Sequence, residues 1–172
     1  MGVKRNAILG ILTLATFIGC GLLAQAQEDQ VDYDGFAALT DKVSAYRATR
    51  LIDLETFNQM KAEDGTLILD TRSQAAYLMG HIDGAVHLNF SDFTDAKLAE
   101  TIPSKATRIL IYCNNNFVDD VAPVPVKRME LALNVPTFIN LYGYGYQNIY
   151  ELDGSYEMAD PDIHWISEAA SL

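Results

Sequence analysis

Cys113 follows the apolar run Arg108-Ile109-Leu110-Ile111-Tyr112 and opens onto the polar stretch Asn114-Asn115-Asn116. A cysteine leaving a buried strand into such a loop is placed for reactivity, because successive main-chain N–H groups there can favour a thiolate. Phosphate-cradling loops use glycine for tight curvature. This one has none, and its asparagines tolerate left-handed backbone instead. Asn114, Asn115 and Asn116 are expected to shape the loop and to donate hydrogen bonds to a bound anion; an ordinary solvated loop is the plainer alternative. Phe117 ends the stretch and is grouped with the loop. Lys127 and Arg128 are the only Lys or Arg after Arg108. They could fold back over the loop, or simply line a solvated helix face.

A second strand end carries polar chemistry, where Thr66-Leu67-Ile68-Leu69 runs into Asp70-Thr71-Arg72. Asp70 and Arg72 are expected to form a buried pair that braces the loop through charge-assisted bonds. The functional alternative has Arg72 supplying positive potential to the thiolate. His81 is expected to tie the turn after its helix to nearby backbone, since an isolated histidine argues weakly for base catalysis. His87 and His164 have no short-spaced partner, so no metal site is indicated.

These residues need elements to hold them. Phe36, Leu39, Val43 and Tyr46 recur at helical spacing and predict an amphipathic helix over 36–50. Leu51-Ile52 reads as a short strand, and Asp53 as the cap of a helix over 54–62. Thr66–Asp70 and Arg108–Tyr112 read as buried parallel strands. Ser73 caps a short helix ending at Met79, Ala85–Leu88 is a strand, and a helix over 92–102 stops at Pro103. The run from Asn114 to Pro125 predicts a long loop, followed by helices over 126–133 and 136–142 and a strand over 148–152. Alternating strands and helices predict a doubly wound, mostly parallel α/β sheet flanked by helices. Tyr142, Tyr144, Tyr146 and Tyr150 suit core and rim packing, with a partner-docking surface as the sharper alternative.

The N-terminus reads as an address. Lys4 and Arg5 precede the apolar stretch Ala7–Ala24, and Ala24-Gln25-Ala26 offers small residues for cleavage after Ala26. Two other layouts stay open: an uncleaved anchor, or a lipoprotein joined at Cys20, where Gly19-Cys20 resembles the end of a lipobox. Each delivers the domain outside the cytoplasm, periplasmic or secreted. Without lipidation or an uncleaved anchor, no stable membrane association is expected. Cleavage removes two cations and no acid, taking the net charge from −11 to −13 and leaving Cys113 without a disulfide partner.

Composition excludes several classes. With 172 residues, 12 Lys+Arg against 23 Asp+Glu and 49% hydrophobic residues, the chain has the make-up of one small acidic globular domain. Its negative charge argues against nucleic-acid partners. Two cysteines are too few for a disulfide scaffold, and no Cys-x-x-Cys pair supports a thiol oxidoreductase.

Taken in order, Ile68-Leu69-Asp70-Thr71-Arg72, Tyr77, Gly80-His81-Ile82-Asp83-Gly84-Ala85, Leu110-Ile111-Tyr112-Cys113 and Asn148-Ile149-Tyr150-Glu151-Leu152-Asp153-Gly154 resemble the rhodanese homology domain. The resemblance covers residues 51–154. It implies a doubly wound α/β fold, no metal or organic cofactor, and a cysteine that carries sulfane sulfur as a persulfide from a small sulfur donor to a thiol acceptor. By that resemblance Cys113 is the nucleophile. The expected organisation is a leader over 1–26, a polar segment and helix over 27–50, the domain over 51–154 and a tail over 155–172.

This chain departs from the family at the loop. The family's arginine about five residues after the cysteine is Val118 here, followed by Asp119 and Asp120. An insertion over 117–135 separates the loop from the helix that usually follows it. A cysteine-dependent phosphatase needs a closing arginine to hold phosphate oxygens, and position 119 is aspartate. The expectation is an exported sulfurtransferase working through Cys113. Its alternative is a catalytically weak or inactive binding or redox-sensing module, with a protein as partner.

Overall fold

Side-chain caps start the helices, and the apolar runs between them make the sheet. The computed structural model describes Gly2 and residues 30–167, and the fold is the compact unit that begins at Asp32. Apart from Gly2, the leader expected over 1–26, Cys20 included, lies outside the described residues.

Helix α1 (Tyr33–Arg47), strand β1 (Leu51–Ile52), helix α2 (Leu54–Lys61), strand β2 (Thr66–Asp70) and helix α3 (Gln74–Met79) come first. Strands β3 (His81–Ile82) and β4 (Ala85–His87), helix α4 (Asp95–Thr101) and strand β5 (Arg108–Tyr112) follow. Helix α5 (Asn134–Gly143) and strands β6 (Ile149–Leu152) and β7 (Trp165–Ile166) complete the chain. Asp53 caps α2 by accepting from the Thr56 N–H at 2.8 Å, and Ser73 caps α3 through Ala76, both as expected. Helix α1 starts three residues ahead of the expected Phe36, because the Asp32 carboxylate caps it by taking the Gly35 N–H at 2.7 Å. Thr94 caps α4, so the helix expected from Asp92 splits into a 3₁₀ turn over Phe90–Asp92 and α4 proper.

The main sheet has the order β1-β6-β5-β2-β4, and every pairing in it is parallel. The period-2 alternation of strands sorts its side chains between two cores. Ile109 and Ile111 of β5 join Leu69, Ile149, Val43, Phe138 and Leu141 on the face covered by α1 and α5. Leu110 and Tyr112 join Phe57, Ile68, Phe117 and Leu152 on the opposite face. Burying each of Ile109, Leu110 and Ile111 contributes about 1.5–3 kcal/mol, which makes β5 the spine of the sheet.

Three expectations need correction. No helix forms over 126–133; only a 3₁₀ turn, Met129–Leu131, lies there. The Lys127 carbonyl, which a helix would pair with the Leu131 N–H, accepts from Asn115 Nδ2 at 2.7 Å, and the Leu131 N–H closes a tighter turn on the Arg128 carbonyl at 2.8 Å. Helix α5 begins at Asn134 rather than Pro136, since proline is tolerated in a first turn that has no intrahelical donors to lose. Finally, residues beyond 154 are more than a tail. β7 pairs antiparallel with β3, and Trp165 packs edge-on against Phe117 at 4.9 Å between ring centroids.

Candidate active site

Cys113 sits just past the carboxyl end of the central strand β5, where open parallel sheets place their ligands. It is 2% exposed and forms part of the wall of a cleft of about 450 Å³. Strand parity decides its company. Cys113 lies two residues beyond Ile111, so its side chain points to the α1/α5 face, and Ile111 is in register with Glu151 of β6. Glu151, a buried carboxylate, therefore shares that face. Arg47 from the last turn of α1 grips it twice, Nε to Oε2 at 2.5 Å and Nη2 to Oε1 at 2.6 Å.

The amino end of α5 closes the site. Main-chain N–H groups of Asn134, Asn115 and Leu133 favour the thiolate. Burial outweighs them and pushes the Cys113 thiol up from its ordinary value of 9.0, and the Glu151 charge adds to that. Helix α5 thus reaches the cysteine, although the chain first makes a long excursion through residues 117–133. Asn134 is 4% exposed; its Nδ2 donates to Glu151 Oε1 at 3.3 Å and to Asn116 Oδ1 at 3.4 Å. Its Oδ1 has no hydrogen-bond partner among the described residues.

The three asparagines pin backbone. Asn116 is buried, accepts the Cys113 N–H at 2.9 Å and donates to the carbonyls of Leu152 and Gly154 at 2.8 and 3.0 Å. Asn115 exchanges two bonds with the Lys127 main chain, and Asn114 donates to the Pro125 carbonyl at 2.9 Å. The expected loop-shaping role is what these bonds perform. Each of these side-chain amides donates to a main-chain carbonyl, and Asn116 donates to two. Phe117 belongs to the core, not the loop's working surface: it is fully buried between Tyr112 and Trp165, because its strand-like bridge to Tyr156 turns it inward. Lys127 lines the cleft. Arg128 is exposed at the start of the 3₁₀ turn and does not.

Asp70 and Arg72 form the expected buried pair, with Arg72 Nη2 at 2.6 Å from Asp70 Oδ2. Asp70 is in register with Tyr112, whose hydroxyl donates to Asp70 Oδ2 at 2.5 Å, so the pair lies on the face opposite Cys113. Arg72 also donates to the carbonyls of Gly80 and Pro123 and stacks near Tyr112 and Trp165. It braces the turn and the insertion; the alternative in which Arg72 polarises the thiolate is overturned by this parity. His81 bonds through Nδ1 to the Tyr77 carbonyl at 2.8 Å and stacks on the Tyr77 ring, the tie expected of it.

Arg47, Asn134 and Glu151 are the site residues that sequence reasoning missed. One signal was present for Glu151: an acid inside the apolar run Ile149–Leu152, beside the strand that ends at the cysteine. Nothing local marks Arg47, which meets Glu151 across 104 residues of chain.

A family model described as the rhodanese-like domain matches residues 53–158. Among solved structures, the rhodanese-like domain of an Anabaena sp. protein, determined in solution, is 21% identical, with a TM-score of 0.44 over 62% of this chain and 69% of that one. A Bacillus halodurans protein is 16% identical, with a TM-score of 0.42 over 69% of this chain and 77% of the other. No curated protein matches the chain. The matched span exceeds half of the 172 residues, and the chain belongs to the rhodanese-like domain family.

Proposed function

We propose that this domain is an exported sulfurtransferase that carries sulfane sulfur on Cys113. The observation that carries the reading is a lone thiol at the carboxyl end of the central strand, in a cleft, faced by the N–H groups of Asn115, Leu133 and Asn134. The Cys113 thiolate bonds to the outer sulfur of a sulfane donor. The donor's S–S bond breaks, and the leaving group departs with the electron pair. The N–H groups hold the negative charge that remains on the persulfide. An acceptor nucleophile then takes the outer sulfur and restores the thiolate. No cofactor enters either step. Export rests on the leader layout over 1–26, with cleavage after Ala26.

Incubating the purified protein with a sulfane donor should add about 32 Da to its intact mass, reversed by reductant. Cys113→Ser should abolish the shift and the transfer. Transfer retained in Cys113→Ser would defeat the assignment.

A second reading has its own support, because burial and Glu151 both hold the thiol protonated. It makes the domain a binding or redox-sensing module with slow turnover. In that case Cys113→Ser keeps its partner, and sulfane donors load the wild-type thiol slowly or not at all.

A further inference from the structure

The cleft around Cys113 is a poor receptacle for a small dianion. Among the described residues, the charged side chains lining it are Arg47 and Lys127 against Glu151 and Asp153, which cancel. Arg47, moreover, is committed to Glu151 through both Nε and Nη2. The cleft's buried side-chain groups next to the thiol are acceptors. Glu151 is a carboxylate, and Asn134 Oδ1 is buried with no partner among the described residues. A buried acceptor without a donor is costly, and a ligand that supplies an N–H or S–H removes that cost. Thiosulfate has only acceptor oxygens and two negative charges, so it supplies no donor to Asn134 Oδ1 and is repelled by the Glu151 carboxylate, whose own bonds come from Arg47 and Asn134. A second groove of about 280 Å³, lined by Val43, Phe138 and Ile139, shares Arg47, Met129 and Val135 with the cleft. That is room for an organic body.

We infer that Glu151 and Asn134 set donor specificity, so that the cleft takes an amine-bearing organic hydropersulfide, R–S–SH, in preference to thiosulfate. The inference rests on Cys113 acting as a sulfur carrier. In the loading step the Cys113 thiolate attacks the outer sulfur of R–S–SH, the donor S–S bond breaks, and R–S⁻ leaves. The products are Cys113–S–SH and R–S⁻, with one negative charge on each side and the proton kept on the outer sulfur. The amine N–H groups face Glu151 and Asn134 Oδ1 while R–S⁻ departs.

The test compares loading of Cys113 by cysteamine hydropersulfide and by thiosulfate, read by intact mass over time. Each rate is divided by that of the neutral reagent iodoacetamide on the same protein, which cancels changes in thiol ionisation, and circular dichroism confirms that each variant is folded. Wild-type protein should load at least about tenfold faster from the hydropersulfide, the scale of discrimination that an unpaired buried polar group imposes. Glu151→Gln removes the carboxylate charge and frees Arg47, and should shrink that preference about tenfold or more, chiefly by speeding thiosulfate. Asn134→Ala should slow the hydropersulfide more than it slows thiosulfate, and so shrink the preference. Loading from thiosulfate as fast as from the hydropersulfide, or a preference that Glu151→Gln does not move, overturns the specificity assignment and leaves sulfur transfer standing. Sulfur on Cys113 from neither donor overturns both.

Discussion

Cys113 keeps its proton at neutral pH because burial costs the charged form more than three N–H groups return. Its alkylation by iodoacetamide should therefore rise about tenfold per pH unit through the neutral range and not level off until above the ordinary thiol value. A plateau below that value would contradict the burial assigned here. The same protonation bears on stability. A thiol raised in the folded state contributes stability that is complete below the unfolded value and lost as pH climbs through the folded one. Tyr112, pushed well above its ordinary 10.0 by burial and by the Asp70 charge, acts in the same direction. Urea midpoints should fall on the alkaline side, less steeply in Cys113→Ser. Asp70 and Arg72 have a different dependence, on each other. Arg72→Ala strands a buried carboxylate and should cost about 3–5 kcal/mol in urea unfolding, with the cysteine environment on the opposite face retained.

Elements transmit these demands through a few contacts. The β3–β7 ribbon seals the α2/α3 side, and Gly80, at the start of it, admits Trp165. A Cβ on Gly80 would lie 2.6 Å from the Trp165 indole nitrogen, while its backbone is extended and open to any residue. Gly80→Ala should thus cost about 1–3 kcal/mol by overpacking alone. Trp165→Ala should cost about 3–5 kcal/mol by cavity formation. In the double variant the alanine methyl has no indole to meet, so the two costs should fall short of additive. Full additivity in a double-mutant cycle would show that the indole does not set the limit at Gly80. At this scale the sequence was uneven to read. Asp53, Ser73 and the apolar runs of β2 and β5 announce their elements because caps and strand alternation are local. The false helix over 126–133 arose because its composition permits one, while Asn115, from outside the segment, takes the Lys127 carbonyl that a helix would need.

At the scale of the whole molecule, the chain carries a net charge of −11, while the charges lining the cleft cancel. Anionic reagents approach against that field, so raising salt from about 0.02 to about 0.3 M should speed Cys113 alkylation by iodoacetate and leave iodoacetamide unchanged. A salt-insensitive iodoacetate rate would mean that the cleft is shielded from the molecule's charge. The sequence by itself determined the α/β class, the cysteine at a strand end and the braced Asp70–Arg72 pair, since each is written in short runs whose period or spacing survives without a partner. Tertiary structure alone decided that the pair faces away from the thiol, that the α5 amino end returns to it, and that Arg47, Asn134 and Glu151 surround it. The physical reason is register. Pairing Ile111 with Glu151 selects which face each side chain takes, and that choice is made by packing across the whole sheet.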